Sequence, residues 1–456
     1  MAEKFIRQVQ VPQSPAEAFA WHARPGALER LTPPWESVEL ESMTGGLKDG
    51  AVVKMRSQVG PFNLQWVAEH FGYRENTLFC DRQLSGPFAR WEHRHRFESL
   101  PDGGCRLVDE VDYKLPLAPF SNIARGMVRR RLNRMFDYRH AVMSADLITA
   151  RESKGRVLVS GASGFIGRAL KAFLQTQGWT VDRLVRRSPR GDNEILWSPQ
   201  DGDVDWPADY SCDAVIHLAG ANIAGGRWTQ SRMKEIRTSR IIGTQTLVKA
   251  LAKLAVPPGV FIGGSATGFY GETGDSVRTE ADVAGTGFLA EVCAEWEQAA
   301  REAEQMGCRV VQLRTGVVLS PEGGALGKML PAFLAGLGGP IGDGQQWMGW
   351  VGLPDWVRAC QFALEESKLV GPVNLTAPEP VRQKVFARIL GEVISRPAIM
   401  PLPVALLKIG LGQMAEETLL ANSRVEPTKL TEIGFKFLHP SLEKTLGHVL
   451  GKSVPA

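Results

Sequence analysis

A glycine-spaced turn between an apolar run and a helical pattern constrains this chain more than any other stretch. Val157-Leu158-Val159-Ser160 reads as a buried strand. Gly161-Ala162-Ser163-Gly164-Phe165-Ile166-Gly167 follows, and Arg168-Ala169-Leu170 opens a helix. Each glycine of this G-x-x-G-x-x-G spacing has a task. Gly161 turns the chain sharply off the strand, Gly164 admits a ligand close to backbone, and Gly167 lets the helix pack tightly on the strand. The helix start presents unpaired N–H groups and a positive dipole end, so Ser163, Gly164, Phe165 and Ile166 are expected around a pyrophosphate. The spacing alone is a weak signal; the flanking strand, the helix and a second strand about 20 residues on make it a nucleotide site.

That second strand, Thr180 to Val185, ends in Arg186-Arg187, where NAD-binding folds carry an acidic residue for the ribose 2′-hydroxyl. Guanidinium groups fork onto a 2′-phosphate that a carboxylate would repel, so the pair favours NADP(H) over NAD. Further strands end in small residues at Leu218-Ala219-Gly220, which lets backbone pass close to an adenosine, and at Ser265-Ala266-Thr267-Gly268-Phe269-Tyr270-Gly271. Helices over about 288–305 and after Trp228, and a strand over 309–314, complete an alternation of strand and helix. The expected fold is α/β, a doubly wound parallel sheet.

The first 150 residues read differently. Phe5 to Val11 alternates as a strand, and Ser14 caps a helix with Pro15 in its first turn and Glu17 three residues after the cap. Six strand-like runs follow, over 37–43, 51–59, 64–73, 78–84, 89–99 and 105–113, mostly separated by Gly, Pro or Asn as in an antiparallel meander. A long helix is expected from about Ser121 to Ile148, with Ile123, Met127, Leu132, Met135 and Phe136 at helical spacing. His93-x-His95 places two imidazoles on one strand face, but no third ligand is evident from spacing, so no metal site is expected.

The organisation expected is thus 1–150, a polar linker 151–156, a nucleotide domain 157–385 and a C-terminal domain 386–456. A net charge of +4 on 456 residues gives no support for nucleic-acid binding. The most apolar segment, Pro401 to Met414, is broken by Pro and Gly, carries Lys408 and is too short to span a bilayer. Six scattered cysteines without C-x-x-C, and a charged N-terminus, point to unpaired thiols and a cytoplasmic protein. Nothing in the sequence specifies an oligomeric state.

The motifs Gly161–Gly167, His217-Leu-Ala-Gly-Ala221, Ser265–Gly271 and Leu313-Arg-Thr-Gly-Val-Val-Leu319 resemble the extended and atypical short-chain dehydrogenase/reductase superfamily. Arg227-Trp228-Thr229, Ser239-Arg240-Ile241 and Gly323-Gly324-Ala325-Leu326 resemble its epimerase-like group, in which a C-terminal domain of the DUF1731 type follows the nucleotide fold. The first 150 residues resemble the SRPBCC (START-like, polyketide-cyclase-like) helix-grip superfamily, which implies a cavity for an apolar ligand, with Trp66, Phe88, Trp91 and Phe97 as lining candidates. The resemblance implies a Rossmann-type NADP(H) site that includes Thr315 and Gly316, and a small-molecule substrate that is sugar-nucleotide-like in the nearest groups.

The superfamily's proton relay is a Tyr-x-x-x-Lys pair opening the helix after the Ser265 strand. Here Phe288 to Glu297 contains neither residue. Ser265 matches the substrate-binding serine, and Tyr270 is the remaining tyrosine near it; these two are the catalytic candidates. Glu291 and Glu295 on that helix, Lys234 and Arg240 on the one before, and Cys293 are weaker substitutes. Two readings follow: an NADP-dependent oxidoreductase or epimerase-like enzyme, or an NADP(H)-binding regulatory protein with little turnover.

Overall fold

A computed structural model describes residues 3–59, 62–116 and 124–452. The chain divides into two compact units, Met1–Lys154 with Gln175–Gly178, and Gly155–Leu174 with Trp179–Ala456. The expected helix start at Ser121 and its apolar Ile123 lie outside the described residues.

In the first unit, β1 (Glu3–Val11) leads to α1 (Pro15–Ala23) and α2 (Ala27–Leu31). Both halves of the capping box form at α1: Ser14 Oγ accepts from Glu17 N, and Ser14 N donates to Glu17 Oε2 at 2.9 Å. The meander is β2 (Val38–Met43), β3 (Val52–Val59), β4 (Phe62–Arg74), β5 (Leu78–Ser85), β6 (Arg90–Ser99) and β7 (Cys105–Lys114), closed by α3 (Arg125–Leu147). All seven strands form one antiparallel sheet in the order β1-β7-β6-β5-β4-β3-β2. Helix α3 lays Leu132, Phe136, Met143 and Leu147 on it, with the Phe136 ring 5.3 Å from that of Phe5. Trp66, Phe88 and Trp91 pack on one another in one apolar cluster, and Phe97 belongs to a second one with Phe19 and Phe79.

In the second unit, β8 (Gly155–Ser160), α4 (Phe165–Thr176), β9 (Trp179–Val185), β10 (Glu194–Ser198) and β11 (Asp203–Val204) make the first half of the sheet. After β12 (Ala214–His217) come α5 (Gln230–Leu251), β13 (Val260–Ala266), β14 (Val277–Arg278), α6 (Phe288–Arg301) and β15 (Arg309–Thr315). Then follow β16 (Val317–Leu319), α7 (Gly324–Leu334), β17 (Trp347–Met348), β18 (Trp350–Gly352), α8 (Leu353–Glu365) and β19 (Gly371–Leu375). The main sheet runs β11-β10-β9-β8-β12-β13-β15-β19, parallel except at β11.

Alternate strand residues enter opposite cores, as a sheet covered on both faces requires. Val157, Ile216, Ile262 and Val311 pack beneath α4 and α8, while Leu158, Val215, Phe261 and Val310 pack with Leu247 and Leu251 of α5. The C-terminal segment packs within this same unit: Arg424–Val425 pairs in parallel with β14, and Asp355 on α8 accepts from the backbone of Leu438 and His439. All six cysteines are free and buried. Among the described residues no helix is long and apolar enough to cross a membrane.

Candidate functional site

The strand order reverses between β8 and β12, and a doubly wound sheet binds ligands at that point, beyond the carboxyl ends of the strands. Ser160 and His217 are register partners at the two strand ends. Ser160 Oγ accepts from Leu218 N and Ala219 N at 3.2 and 3.3 Å and lies 2.6 Å from His217 Nδ1. With both lone pairs taken, the hydroxyl proton goes to Nδ1. Burial pushes His217 down to about 4, so the imidazole is a neutral acceptor. This clasp holds the Gly161 and Leu218–Gly220 turns side by side. Sequence reasoning did not single out Ser160; its polarity directly after Val157-Leu158-Val159 was the available signal.

The glycine turn is shaped as expected. Gly161 has φ +74°, and a Cβ there would stand 2.8 Å from Leu218 C. A Cβ on Gly167 would stand 2.2 Å from Gly161 O, so helix and turn are in backbone contact. Gly164 differs: it is exposed, and its Cβ would meet only Gly161 O, at 3.4 Å. Ser163 is exposed beside it, Phe165 and Ile166 are half-buried, and the Phe165 ring lies against Gly323 and Gly324. The result is a cradle closed by backbone on two sides and open at Ser163 and Gly164, which fits the pyrophosphate of a dinucleotide.

At the end of β9, Arg186 is exposed with no partner among the described residues. Arg187 forms a two-pronged pair with Glu194, both contacts 2.7 Å. That pairing holds the Glu194 carboxyl down at about 2, and Arg183 also reaches it at 3.0 Å. The two arginines therefore differ: one is tethered and one is unengaged.

Further along the sheet, Ser265, Arg314 and Asn374 stand side by side on β13, β15 and β19. Gly263 and Gly264 let α6 close on this face, since a Cβ on Gly264 would stand 2.7 Å from the Trp296 ring. Glu297 thereby reaches the row. Ser265 Oγ donates to Glu297 Oε1 at 2.7 Å, and Arg314 pairs with both carboxylate oxygens at 2.8 and 2.9 Å. Arg314 Nη1 donates to the Tyr270 hydroxyl at 2.8 Å, and that hydroxyl lies 2.6 Å from Asn374 Oδ1. Arg314 also lies 3.5 Å above the Phe269 ring centre. Glu297 is 1% exposed and Arg314 is 3% exposed.

The structure thus joins the two catalytic candidates through an ion pair that sequence reasoning missed. A charged Arg314 inside an apolar strand was the clue to it. Burial pushes Tyr270 up to about 12, against the pull of Arg314. Burial also raises Cys293, beside Ser265 and Glu297, to about 11, so it is a thiol and not a nucleophile. Glu291 and Glu295 both pair with Arg237. Arg240 lies under Gly220, donates to Ala221 O and Ile236 O, and packs on Trp296.

Thr315 Oγ1 accepts from Trp356 Nε1 at 3.2 Å, and Gly316 is wedged against Gly349 O, where a Cβ would come within 2.7 Å. Trp350 is fully buried, and the guanidinium groups of Arg382 and Arg424 lie 4.3 and 4.8 Å from the Trp347 ring centre. From the C-terminal segment, Glu417 accepts from Phe288 N and Leu289 N and caps the helix that carries Glu297.

Three family models match the chain: the NAD dependent epimerase/dehydratase family over 157–375, a domain of unknown function (DUF1731) over 402–449, and polyketide cyclase / dehydrase and lipid transport over 11–137. An epimerase family protein of Mycobacterium bovis is 45% identical over 292 residues, which is 64% of this chain and 96% of that protein. A solved nucleoside-diphosphate sugar epimerase from Corynebacterium glutamicum is 30% identical, with TM-score 0.78, covering 98% of this chain and 90% of that one. The human epimerase family protein SDR39U1, solved with NADPH, is 33% identical, with TM-score 0.60, covering 64% of this chain and 98% of that one.

Proposed function

The chain belongs to the epimerase family, and on that premise we propose that it is an NADP(H)-dependent enzyme acting on an alcohol or carbonyl of a small, sugar-nucleotide-like substrate. The observation that carries the reading is the open glycine cradle on the same sheet end as the Ser265 row. The human relative solved with NADPH supports the choice of cofactor.

In this reading Ser163 to Gly167 hold the pyrophosphate, Leu218, Ala219 and Gly220 flank the adenosine, and Thr315 and Gly316 border the nicotinamide end. Arg186 grips the 2′-phosphate, with Arg187 held beside it by Glu194. When bound, the nicotinamide supplies reversible hydride exchange with a substrate carbon. Ser265 binds the substrate oxygen. Because its proton is committed to Glu297, its lone pairs accept from a substrate hydroxyl, which favours an alcohol at this position. Tyr270 acts as a positioning residue, holding Arg314 and through it Glu297. The free cysteines support a reducing, cytoplasmic setting. An apolar ligand for the first unit is supported by its match to a lipid-transport family.

One observation favours the second reading, a cofactor-binding protein with little turnover: Tyr270 is enclosed and the helix after Ser265 has no Tyr-Lys pair. Nicotinamide fluorescence titrated with NADPH and NADH, followed by hydride exchange with a panel of alcohols and carbonyls, separates the two. The enzyme reading expects NADPH to bind more tightly than NADH, and the R186A/R187A variant to lose about ten- to a hundredfold for NADPH, as expected for lost charged hydrogen bonds of about 1.5–3 kcal/mol. Tight NADPH binding with no exchange on any substrate leaves the regulatory reading. Equal binding of both nucleotides overturns the arginine assignment.

A further inference from the structure

The first unit encloses a second constellation. His93-x-His95 supplies two imidazoles from one face of β6. The antiparallel register sets Asp81 of β5 opposite His93, and Asp109 of β7 opposite His95. Helix α3 brings His140 over the same face. His93 is 2% exposed, Asp109 3%, His95 8% and His140 9%.

Asp109 Oδ1 accepts from His93 Nε2 at 3.0 Å, and His95 Nδ1 lies 2.8 Å from the same oxygen, off the hydrogen-bond direction. Asp109 Oδ2 accepts from His140 Nε2 at 2.6 Å. A carboxylate only accepts, so His93 Nε2 and His140 Nε2 carry protons. The opposite nitrogens, His93 Nδ1 and His95 Nε2, lie 3.4 and 3.5 Å from a single oxygen, Asp81 Oδ2. With its proton on Nε2, a neutral His93 presents a lone pair at Nδ1, and His95 presents one at Nε2 when its proton sits on Nδ1. Lone pairs facing a carboxylate repel unless a proton or a metal ion stands between them.

We propose that Asp81 Oδ2, His93 Nδ1 and His95 Nε2 bind a divalent transition-metal ion of the zinc class. The three ligand atoms lie within 4.8 Å of one another. Metal–nitrogen and metal–oxygen bonds of about 2.0–2.2 Å at a tetrahedral angle give a ligand-to-ligand edge of about 3.4 Å, which matches the two nitrogen–oxygen separations. Imidazole and carboxylate together suit zinc and cobalt better than calcium or magnesium. Asp109 fixes the orientation of the rings, the carboxylate–histidine–metal arrangement that tunes such sites. Three protein ligands leave the fourth position to water. Phe79, stacked on His95 at 4.1 Å, holds that ring on its other face. The competing charge is Arg139 on α3, which acts electrostatically on both aspartates while its Nε donates to Leu31 O.

The test uses the full chain stripped with a chelator. Cobalt(II) is titrated by visible absorption, and zinc is counted by mass spectrometry after gel filtration. The expected result is one equivalent of metal, a tetrahedral cobalt spectrum, and loss of both in D81N and H95A. D109N should keep the stoichiometry and weaken binding about 10–100-fold. D81N is nearly isosteric, and its circular dichroism confirms the fold independently. No stoichiometric binding by the wild-type chain overturns the proposal; the carboxylates are then neutralised by imidazolium protons and Arg139. Binding unchanged in D81N and H95A overturns it equally.

Discussion

Replacing Glu297 with Gln tests the buried network most directly. The side chain keeps its shape and loses its charge, so Arg314, 3% exposed, is left with an uncompensated charge beside the Phe269 ring. Ser265 keeps an acceptor in the amide oxygen, but Arg314 exchanges one of its two carboxylate contacts for an NH2 group. Breaking a buried pair by removing one partner costs about 3–5 kcal/mol. At about 1.6 °C per kcal/mol for a unit of about 300 residues, Tm should fall by roughly 5–8 °C. Glu295, one residue pair away on the same helix, is the internal control: its side chain is 44% exposed and it pairs with Arg237. E295Q should cost about 0–1 kcal/mol. Scanning calorimetry of both variants, with R314Q and the E297Q/R314Q double variant, completes a cycle in which the double variant is less destabilised than the sum, by about 0.5–3 kcal/mol. A Tm shift in E297Q no larger than in E295Q, or additivity in the cycle, refutes the argument that this pair holds Ser265 and Tyr270 together.

Three further outcomes follow from the cofactor cradle and its clasp. G167A forces a Cβ to within 2.2 Å of Gly161 O, so it should lose about 1–3 kcal/mol of stability in urea unfolding and lose NADPH binding with it. G164A meets nothing closer than 3.4 Å and should fold as the wild type, yet weaken NADPH at least about tenfold by placing a methyl against the pyrophosphate; unchanged NADPH fluorescence in G164A refutes that placement. His217, buried and pushed down to about 4, stays neutral in the fold while its unfolded counterpart takes up a proton near pH 6.5. Stability attributable to it is therefore complete above about pH 6.5 and is lost as the pH falls toward 4, by up to about 3 kcal/mol. H217N should flatten that part of the urea-midpoint profile, and a wild-type slope surviving in H217N contradicts the assignment.

Features encoded within a few consecutive residues were legible. The capping box at Ser14 and Glu17, the meander with its alternation, and the glycine turn each state a local backbone requirement, and each formed within a residue or two of its expected position. An indole serves a core as well as a ligand, so residue type alone does not separate Trp347 from Trp350; Trp350 is core, and Trp347 carries the guanidinium groups of Arg382 and Arg424 on its ring. The Arg186-Arg187 dipeptide gave the charge but not the division of labour, which depends on Glu194 from the neighbouring strand.

What stayed illegible shares one cause. Ser265, Arg314 and Asn374 meet only because three parallel strands, separated by helices, are placed edge to edge in register. Asp81, His93 and Asp109 meet only because three antiparallel strands do the same in the first unit. In both cases a polar row runs across a sheet, perpendicular to the chain, so no spacing along the sequence records it. What the sequence does record is the cost: a charge or an imidazole at a strand position whose neighbours on the same face are apolar. His93-x-His95 between Trp91 and Phe97 carries that mark; Arg314 shares its strand face with Gln312 and is marked instead by the buried Val310, Val311 and Leu313 of the same strand. Buried charge persists only when it is paired or coordinated. Each such residue therefore implies a partner from a neighbouring strand or helix, and those partners are Glu297 for Arg314 and Asp109 for the histidines.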